Sequence, residues 1–296
     1  MGGVVVSRDQ ASRAQEDWTR AASEEYASLT KAQRWKVADK LARDRLPQID
    51  ARLDDVTPSR TIYARFVKRI LDIIISVIAL IITSPINLII AVVTAIDLGR
   101  PLLFKQERLG RNGRPFTIVK FRNMRNTRDE RGELLPPAQR VTKFGKFVRK
   151  TSLDELLNFW SILKGDMSVI GPRPLPPEYG GRYNKRHRAR LAVRPGLECP
   201  PRDLQHVWTW QEQFENDVWY VEHVSFVTDC KMVGRLVAFA LDRKSAEARS
   251  VAGRGTFMGY DLDGSAINMQ QVPARYVREV LESDSRNHAE KHNEIQ

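Results

Sequence analysis

The residues Ile73–Ile96, IIISVIALIITSPINLIIAVVTAI, decide how the rest of this chain is read. They carry no charge over 24 residues, and Asp72 and Asp97 close the run at its two ends. As one helix they would extend about 36 Å at 1.5 Å per residue, enough to cross a hydrocarbon core of roughly 30 Å. Two features oppose a plain span. Thr83, Ser84 and Pro85 sit at the middle, where proline removes a helix hydrogen bond and crowds the preceding turn, and Asn87 adds an amide just beyond. The flanks are basic on both sides, with Arg60, Arg65, Lys68 and Arg69 before and Arg100, Lys105, Arg108, Arg111 and Arg114 after, and positive residues resist translocation. A kinked span and a re-entrant helix-break-helix, with limbs of about 18 Å that enter and leave on one side, both accommodate these features.

Outward from this run the chain is polar. Its 296 residues carry a net charge of +12 and a mean hydropathy of −0.41, which excludes a polytopic transporter and calls for anionic partners: nucleic acid, acidic lipid or nucleotide phosphate. Cys199 and Cys230 form neither a disulfide framework nor a zinc spacing, so both are expected reduced in a cytoplasmic environment. The apolar run begins far from Met1 and lacks the order of a cleavable signal, so it is expected to be retained.

The organisation expected is a helical N-terminal extension over 1–60 with no assigned role, a membrane segment over 61–100, a core over 101–244 and a polar C-terminal tail over 245–296. Leu102–Gln106 and Phe116–Phe121 flank Asn112-Gly113 and read as a small β-hairpin, whose second strand puts Ile118, Lys120 and Arg122 on one basic face. Phe226–Leu241 has apolar residues at helical spacing behind Ser225 as cap, which suits a core helix or an amphipathic helix lying in a membrane interface. Another amphipathic helix is expected from Val272. The fold class is α+β, mostly helical.

Ser152-Leu153-Asp154-Glu155 opens another helical pattern. Its plain reading is a capping box, the Ser152 hydroxyl on the Glu155 amide and the Glu155 carboxylate reaching back. The same first turn, beside free amides and the positive end of the dipole, would keep Asp154 ionised and attract phosphate. Lys120, Arg122, Arg149 and Arg173 accompany it, the last fixed within Gly171-Pro172-Arg173-Pro174.

Lys68-Arg69-Ile70-Leu71-Asp72, Ser84-Pro85, Lys120-Phe121-Arg122-Asn123-Met124, Ser152-Leu153-Asp154-Glu155-Leu156, Leu163-Lys164-Gly165-Asp166-Met167-Ser168, Gly171-Pro172-Arg173-Pro174, Val193-Arg194-Pro195-Gly196 and Phe214-Glu215-Asn216-Asp217-Val218 stand in register. In this order they resemble the bacterial sugar transferases, the monotopic phosphoglycosyl transferases, over about residues 62–244. The resemblance implies transfer of sugar phosphate from a UDP-sugar to polyprenyl (undecaprenyl) phosphate with release of UMP, the first membrane step of a bacterial glycan (polysaccharide) assembly pathway. It implies Asp154 as nucleophile in a covalent ping-pong scheme and Glu155 as ligand of Mg2+. Lys120, Arg122, Arg149, Arg173 and Arg194 become substrate-binding candidates, and Asp217 a residue that positions one of them or the metal shell. It further implies that Ser84-Pro85 folds the membrane helix back, and that the enzyme works at the cytoplasmic face of the inner membrane, on an anionic bilayer. A homo-oligomer stays open, and no nucleic-acid partner is expected.

One stretch departs from the family pattern. Leu197-Glu198-Cys199-Pro200-Pro201-Arg202-Asp203-Leu204 stands where relatives carry an Ala-Gln-Val-Asn-Gly-Arg-like run, and Arg202 is the available substitute for the missing basic group. That departure favours a catalytically lapsed scaffold as the rival reading, and the basic charge a membrane-tethered nucleic-acid-binding protein. The intact Asp154-Glu155 pair argues against both.

Overall fold

A computed structural model describes residues 29–130, 132, 134–200, 209–241 and 254–293. Helix α1 (Lys31–Asp50) starts at a capping box, Thr30 receiving the Gln33 amide and Gln33 reaching back. Helix α2 (Lys68–Leu98) follows a wide helical turn at Tyr63–Val67 and contains the apolar run. The expected division at Ser84-Pro85 does not interrupt it: the helical pattern continues through Pro85. The reason is local. Proline cannot donate to the Ile81 carbonyl, and the Ser84 hydroxyl donates there instead at 2.8 Å. Thr83 donates to the Ala79 carbonyl at 2.7 Å, and the Asn87 amide donates to the Thr83 hydroxyl. Most apolar side chains of α2 point outward, among them Ile74, Ile81, Ile82, Leu88 and Ile89.

Both ends of α2 are held by one body. At the start, Arg69 donates to the Ile162 and Leu163 carbonyls, and Asp72 accepts from the Ser168 hydroxyl and the Val169 amide. At the end, the Arg122 guanidinium donates to the Leu98 and Gly99 carbonyls. Arg122 directly follows strand β2, and β2 packs its Ile118 against Ile162.

The hairpin appears as read, β1 (Leu103–Leu109) antiparallel to β2 (Pro115–Phe121) with Phe104 opposite Lys120, and Asn112 takes the left-handed turn conformation. Helices α3 (Lys143–Lys150) and α4 (Asn158–Lys164) follow. Gly145 lets α3 sit against the loop after β2, since a Cβ there would lie 2.0 Å from the Asn123 carbonyl oxygen. Strands β3 (Ser168–Ile170) and β4 (Gly196–Glu198) pair in parallel. This pairing brings Gly171-Pro172-Arg173-Pro174 beside Arg194-Pro195-Gly196, so closely that a Cβ on Gly196 would stand 2.1 Å from the Gly171 nitrogen. Helices α5 (Trp210–Glu222) and α6 (Phe226–Leu241) complete this part, with the Thr228 amide on the Ser225 hydroxyl as read.

The N-terminal segment is helical over Lys31–Asp50, and the C-terminal segment differs from the polar tail expected. Strands β5 (Phe257–Tyr260) and β6 (Ala266–Asn268) form a hairpin, and helix α7 (Ala274–Asn293) packs with it against α1. Val37, Ala38 and Leu41 meet Met258, Ile267, Tyr276, Val277 and Val280 in one buried cluster. A second cluster, with Leu109, Leu175, Tyr183, Trp210, Phe214, Phe257 and Tyr260, ties this pair of segments to the central part. The stretch read as a polar tail therefore contributes core. Neither segment carries enough apolar surface alone, and each completes the other.

Candidate active site

Asp154 sits on a single 3₁₀ turn, Leu153–Glu155, between α3 and α4. Ser152 before it has φ 56° and ψ 19°, a left-handed conformation rare for residues other than glycine, and its side chain makes no cap bond. The capping box is thus overturned. Ser152 instead reverses the chain after α3, and this tight reversal tucks Asp154 inward to 4% exposure.

There the Asn123 amide donates to Asp154 Oδ2 at 2.7 Å, and the Lys120 ammonium acts on the carboxylate from the facing strand. Burial nevertheless raises the Asp154 pKa above the ordinary aspartate value, outweighing the attraction of Lys120 and the Asn123 bond, with Glu155 adding repulsion. This is opposite to the direction a helix N-terminus imposes. Glu155 is half-buried, and its Oε1 accepts from Arg173 Nη2 at 3.3 Å. Arg173 Nη1 reaches Glu198 Oε2 at 3.2 Å, so one guanidinium bridges two carboxylates, and Glu198 above all raises its pKa.

Beneath Arg173 lies a buried pair. Arg190 donates through Nε and Nη2 to Asp217 Oδ2 at 2.9 and 2.8 Å, through Nη1 to the Tyr183 hydroxyl, and through Nη2 to the Arg173 carbonyl. Asp217 therefore acts on the site through Arg190, which fixes the backbone that carries Arg173. Burial pushes the Asp217 pKa up to about 6 against the pull of Arg190.

The site residues read from sequence divide into groups. Asp154, Glu155, Lys120 and Arg173 come together. Arg149 lies exposed on the last turn of α3. Arg122 closes the end of α2, which places its guanidinium on backbone carbonyls. Arg194 lies elsewhere, its Nε on the Gly165 carbonyl at the far end of α4 from Asp154. Ser84 and Pro85 lie within α2, and Arg202 lies outside the described residues.

Four residues that neighbour this group were not among those read from the sequence as candidates. Asn123 lay inside a quoted motif, and Glu198 inside the departing loop. Burial and then Arg173 lower the Arg108 pKa, and burial lowers that of Arg254 against the pull of Glu198, with Arg173 adding repulsion. Arg254 stacks over Trp210, 5.4 Å from the ring centre. No local pattern marks it, because it arrives from the C-terminal segment.

This arrangement can present a carboxylate to phosphorus while arginines and a lysine balance phosphate charge. Replacing Lys120 by Met removes the cation beside Asp154 and raises its carboxyl further. A nucleophilic carboxylate works deprotonated, so activity is lost as pH falls through its pKa. The acid limb of kcat/KM against pH should therefore move to higher pH in Lys120→Met, and an unmoved limb would remove Lys120 from this role.

The family model described as "Bacterial sugar transferase" matches residues 63–243. The chain is 41% identical over 167 residues to the uncharacterized sugar transferase EpsL of Bacillus subtilis, covering 56% of this chain and 83% of that protein. It is 36% identical to the galactosyl transferase CpsE of Streptococcus agalactiae, covering 56% of this chain and 40% of the relative. With the UDP-N-acetylgalactosamine-undecaprenyl-phosphate N-acetylgalactosaminephosphotransferase of Aeromonas hydrophila the identity is 34%, over 62% of this chain and 45% of the relative. The match thus spans less than half the length of these last two proteins.

Proposed function

The chain belongs to the bacterial sugar transferase family, and we propose that it transfers a sugar phosphate from a UDP-sugar to a polyprenyl phosphate such as undecaprenyl phosphate, releasing UMP. The observation that carries this reading is Asp154: a buried carboxylate held by Asn123, beside Lys120 and next to the Glu155–Arg173–Glu198 chain. In the first step an Asp154 oxygen bonds to the phosphorus that bears the sugar. The bond from that phosphorus to the bridging oxygen breaks, and UMP leaves with the electron pair. In the second step an oxygen of the polyprenyl phosphate attacks the same phosphorus and returns the Asp154 carboxylate. Lys120 and Arg173 hold phosphate oxygens, and Arg190 keeps Arg173 in place.

The donor set suits Mg2+. Among the described residues no three His, Cys, Asp or Glu side chains gather as a metal cage, but Mg2+ at phosphate sites takes only one or two protein carboxylates and completes its shell with water and phosphate oxygens. Glu155 gives one oxygen to Arg173 and keeps the other for such a role. When bound, the ion neutralises diphosphate charge and stabilises the departing UMP.

The assay is UMP release from UDP-sugars with undecaprenyl phosphate and Mg2+, and no release with any UDP-sugar would overturn the proposal. In Glu155→Gln the rate is expected to fall about 10²-fold or the Mg2+ requirement to rise by a similar factor, because a neutral amide is a poor ligand for a hard cation. An unchanged Mg2+ titration would return Glu155 to an ion-pair role with Arg173.

For the membrane segment we favour the re-entrant form, at the cytoplasmic face of the inner membrane. What supports it is the anchoring of both ends of α2 in one body, since a straight helix of this length would part its ends by about 46 Å. Exposed Trp160, Phe147, Phe226, Val227 and Val237 suit an apolar contact with the bilayer. Single cysteines near Arg60 and Arg100, in a background lacking Cys199 and Cys230, should resist an impermeant thiol reagent in intact cells and react once the membrane is opened. Replacing Ser84 and Pro85 together by leucine should expose the Arg60 site in part of the population. Labelling of that site from outside in the native sequence would make α2 a span.

A further inference from the structure

A cavity of about 500 Å³ opens at the start of α2, at the opposite end of α4 from Asp154. Arg60, Arg65, Lys68, Arg69, Arg111 and Arg194 line it, against one acid, Asp72. The acid is already engaged by the Ser168 hydroxyl and the Val169 amide. Two of the cations are also engaged, Lys68 with Asp229 and Arg69 with the carbonyls of α4. Among the described residues the others have no carboxylate partner. Arg194 and Arg111 each use Nε to grip a backbone carbonyl, of Gly165 and Ala192, and no carboxylate partner stands against their remaining nitrogens among the described residues. Arg60 and Arg65 are exposed beside them. Burial and then the neighbouring Arg69 and Arg111 lower the Arg194 pKa, the mark of like charges converging.

A second observation adjoins the first. Phe66 lines the same cavity with most of its surface exposed, and Ile62 and Ile70, four residues to either side, are exposed as well. Residues four apart share one helix face, so an apolar stripe leads from the cationic cavity along the membrane helix. A free phosphate uses only the cavity. An amphiphile uses both.

From this juxtaposition we infer that the cavity formed by Arg65, Arg111 and Arg194 binds the phosphate headgroup of an anionic bilayer phospholipid, whose acyl chains lie along Ile62, Phe66 and Ile70. Guanidinium groups suit phosphate oxygens, and basic juxtamembrane pockets suit anionic lipid. The site is separate from Asp154 and does not depend on the transfer chemistry. Its ligand would fasten the start of α2 to the surface at which the protein works.

The test is native mass spectrometry of the full-length protein in detergent, titrated with phosphatidylglycerol or phosphatidylcholine. The native protein should retain one phosphatidylglycerol at concentrations at least tenfold below those needed for phosphatidylcholine. Arg65→Gln with Arg111→Gln, both at exposed positions, should lose that preference by tenfold or more, as should Arg194→Gln. The charge-matched Arg43→Gln with Arg52→Gln, remote from the cavity, should keep it. Equal retention of the two lipids, an undiminished preference in the first double variant, or an equal loss in the control would overturn the inference. Displacement by an equal concentration of inorganic phosphate would overturn the amphiphile. Displacement by one tenth as much undecaprenyl phosphate would give the cavity to the acceptor and overturn the bilayer-lipid assignment.

Discussion

Asp154→Asn is expected to lower turnover by about 10⁴-fold or more while leaving the fold intact, because an amide is no nucleophile toward phosphorus. The substitution keeps the size of the side chain, and its amide oxygen can still accept the bond that the Asn123 amide now gives to Oδ2. Neutrality is tolerated at this position, since burial already favours the uncharged form of Asp154. Two measurements separate chemistry from folding. The thermal transition of the variant should match that of the native protein. Native protein incubated with UDP-sugar alone should gain the mass of one sugar phosphate on the peptide containing Asp154, and the variant should gain none. Full activity in Asp154→Asn would remove the nucleophile role, and an adduct on another residue would relocate it.

Asp217→Ala is expected to cost about 3–5 kcal/mol, the usual effect of leaving one member of a buried ion pair alone. Arg190 is 2% exposed and Asp217 1%, so water cannot replace the lost carboxylate. For a domain of this size that corresponds to a fall in Tm on the order of 10 °C, read by a thermal melt in detergent. Replacing both residues, as Arg190→Met with Asp217→Leu, should recover much of the loss, since the penalty comes from an unpaired charge rather than from an absent attraction. The pair also bears on catalysis through the Arg173 carbonyl held by Arg190, and the double variant should stay impaired in turnover even when stable. If Asp217 instead belonged to a metal shell, excess Mg2+ would restore the activity of a stable variant. No such rescue is expected.

The elements legible in the sequence share one property: their signal is local. Asn112-Gly113 between two alternating stretches marks the β1–β2 hairpin, because the turn chemistry and the strands it joins are neighbours in the chain. Ser225 before an apolar periodic run marks α6 for the same reason. The motifs around Lys120, Asp154 and Arg173 pointed to one site, and the structure gathers these three with Glu155. Ser152 shows the limit of such reading. A serine three residues before a glutamate reads as a cap, yet Ser152 is left-handed, because the chain must reverse between two packed helices there.

The sequence by itself determined the long apolar helix, the hairpin and the family, since each depends on residue types at short, fixed spacings or on motifs in a fixed order. Only the tertiary structure decided what each charge faces. Arg122 meets the end of α2, Arg194 enters a second cationic cavity, Asp217 pairs with Arg190, and Arg254 reaches the site from a segment outside the family match. The same holds for the terminal segments, whose sparse apolar residues become core only when α1 and the β5–β6 hairpin cover each other. The physical reason is that a charge is paired, and an apolar side chain buried, by neighbours that folding brings from far along the chain, and no spacing along one segment records which neighbours those are.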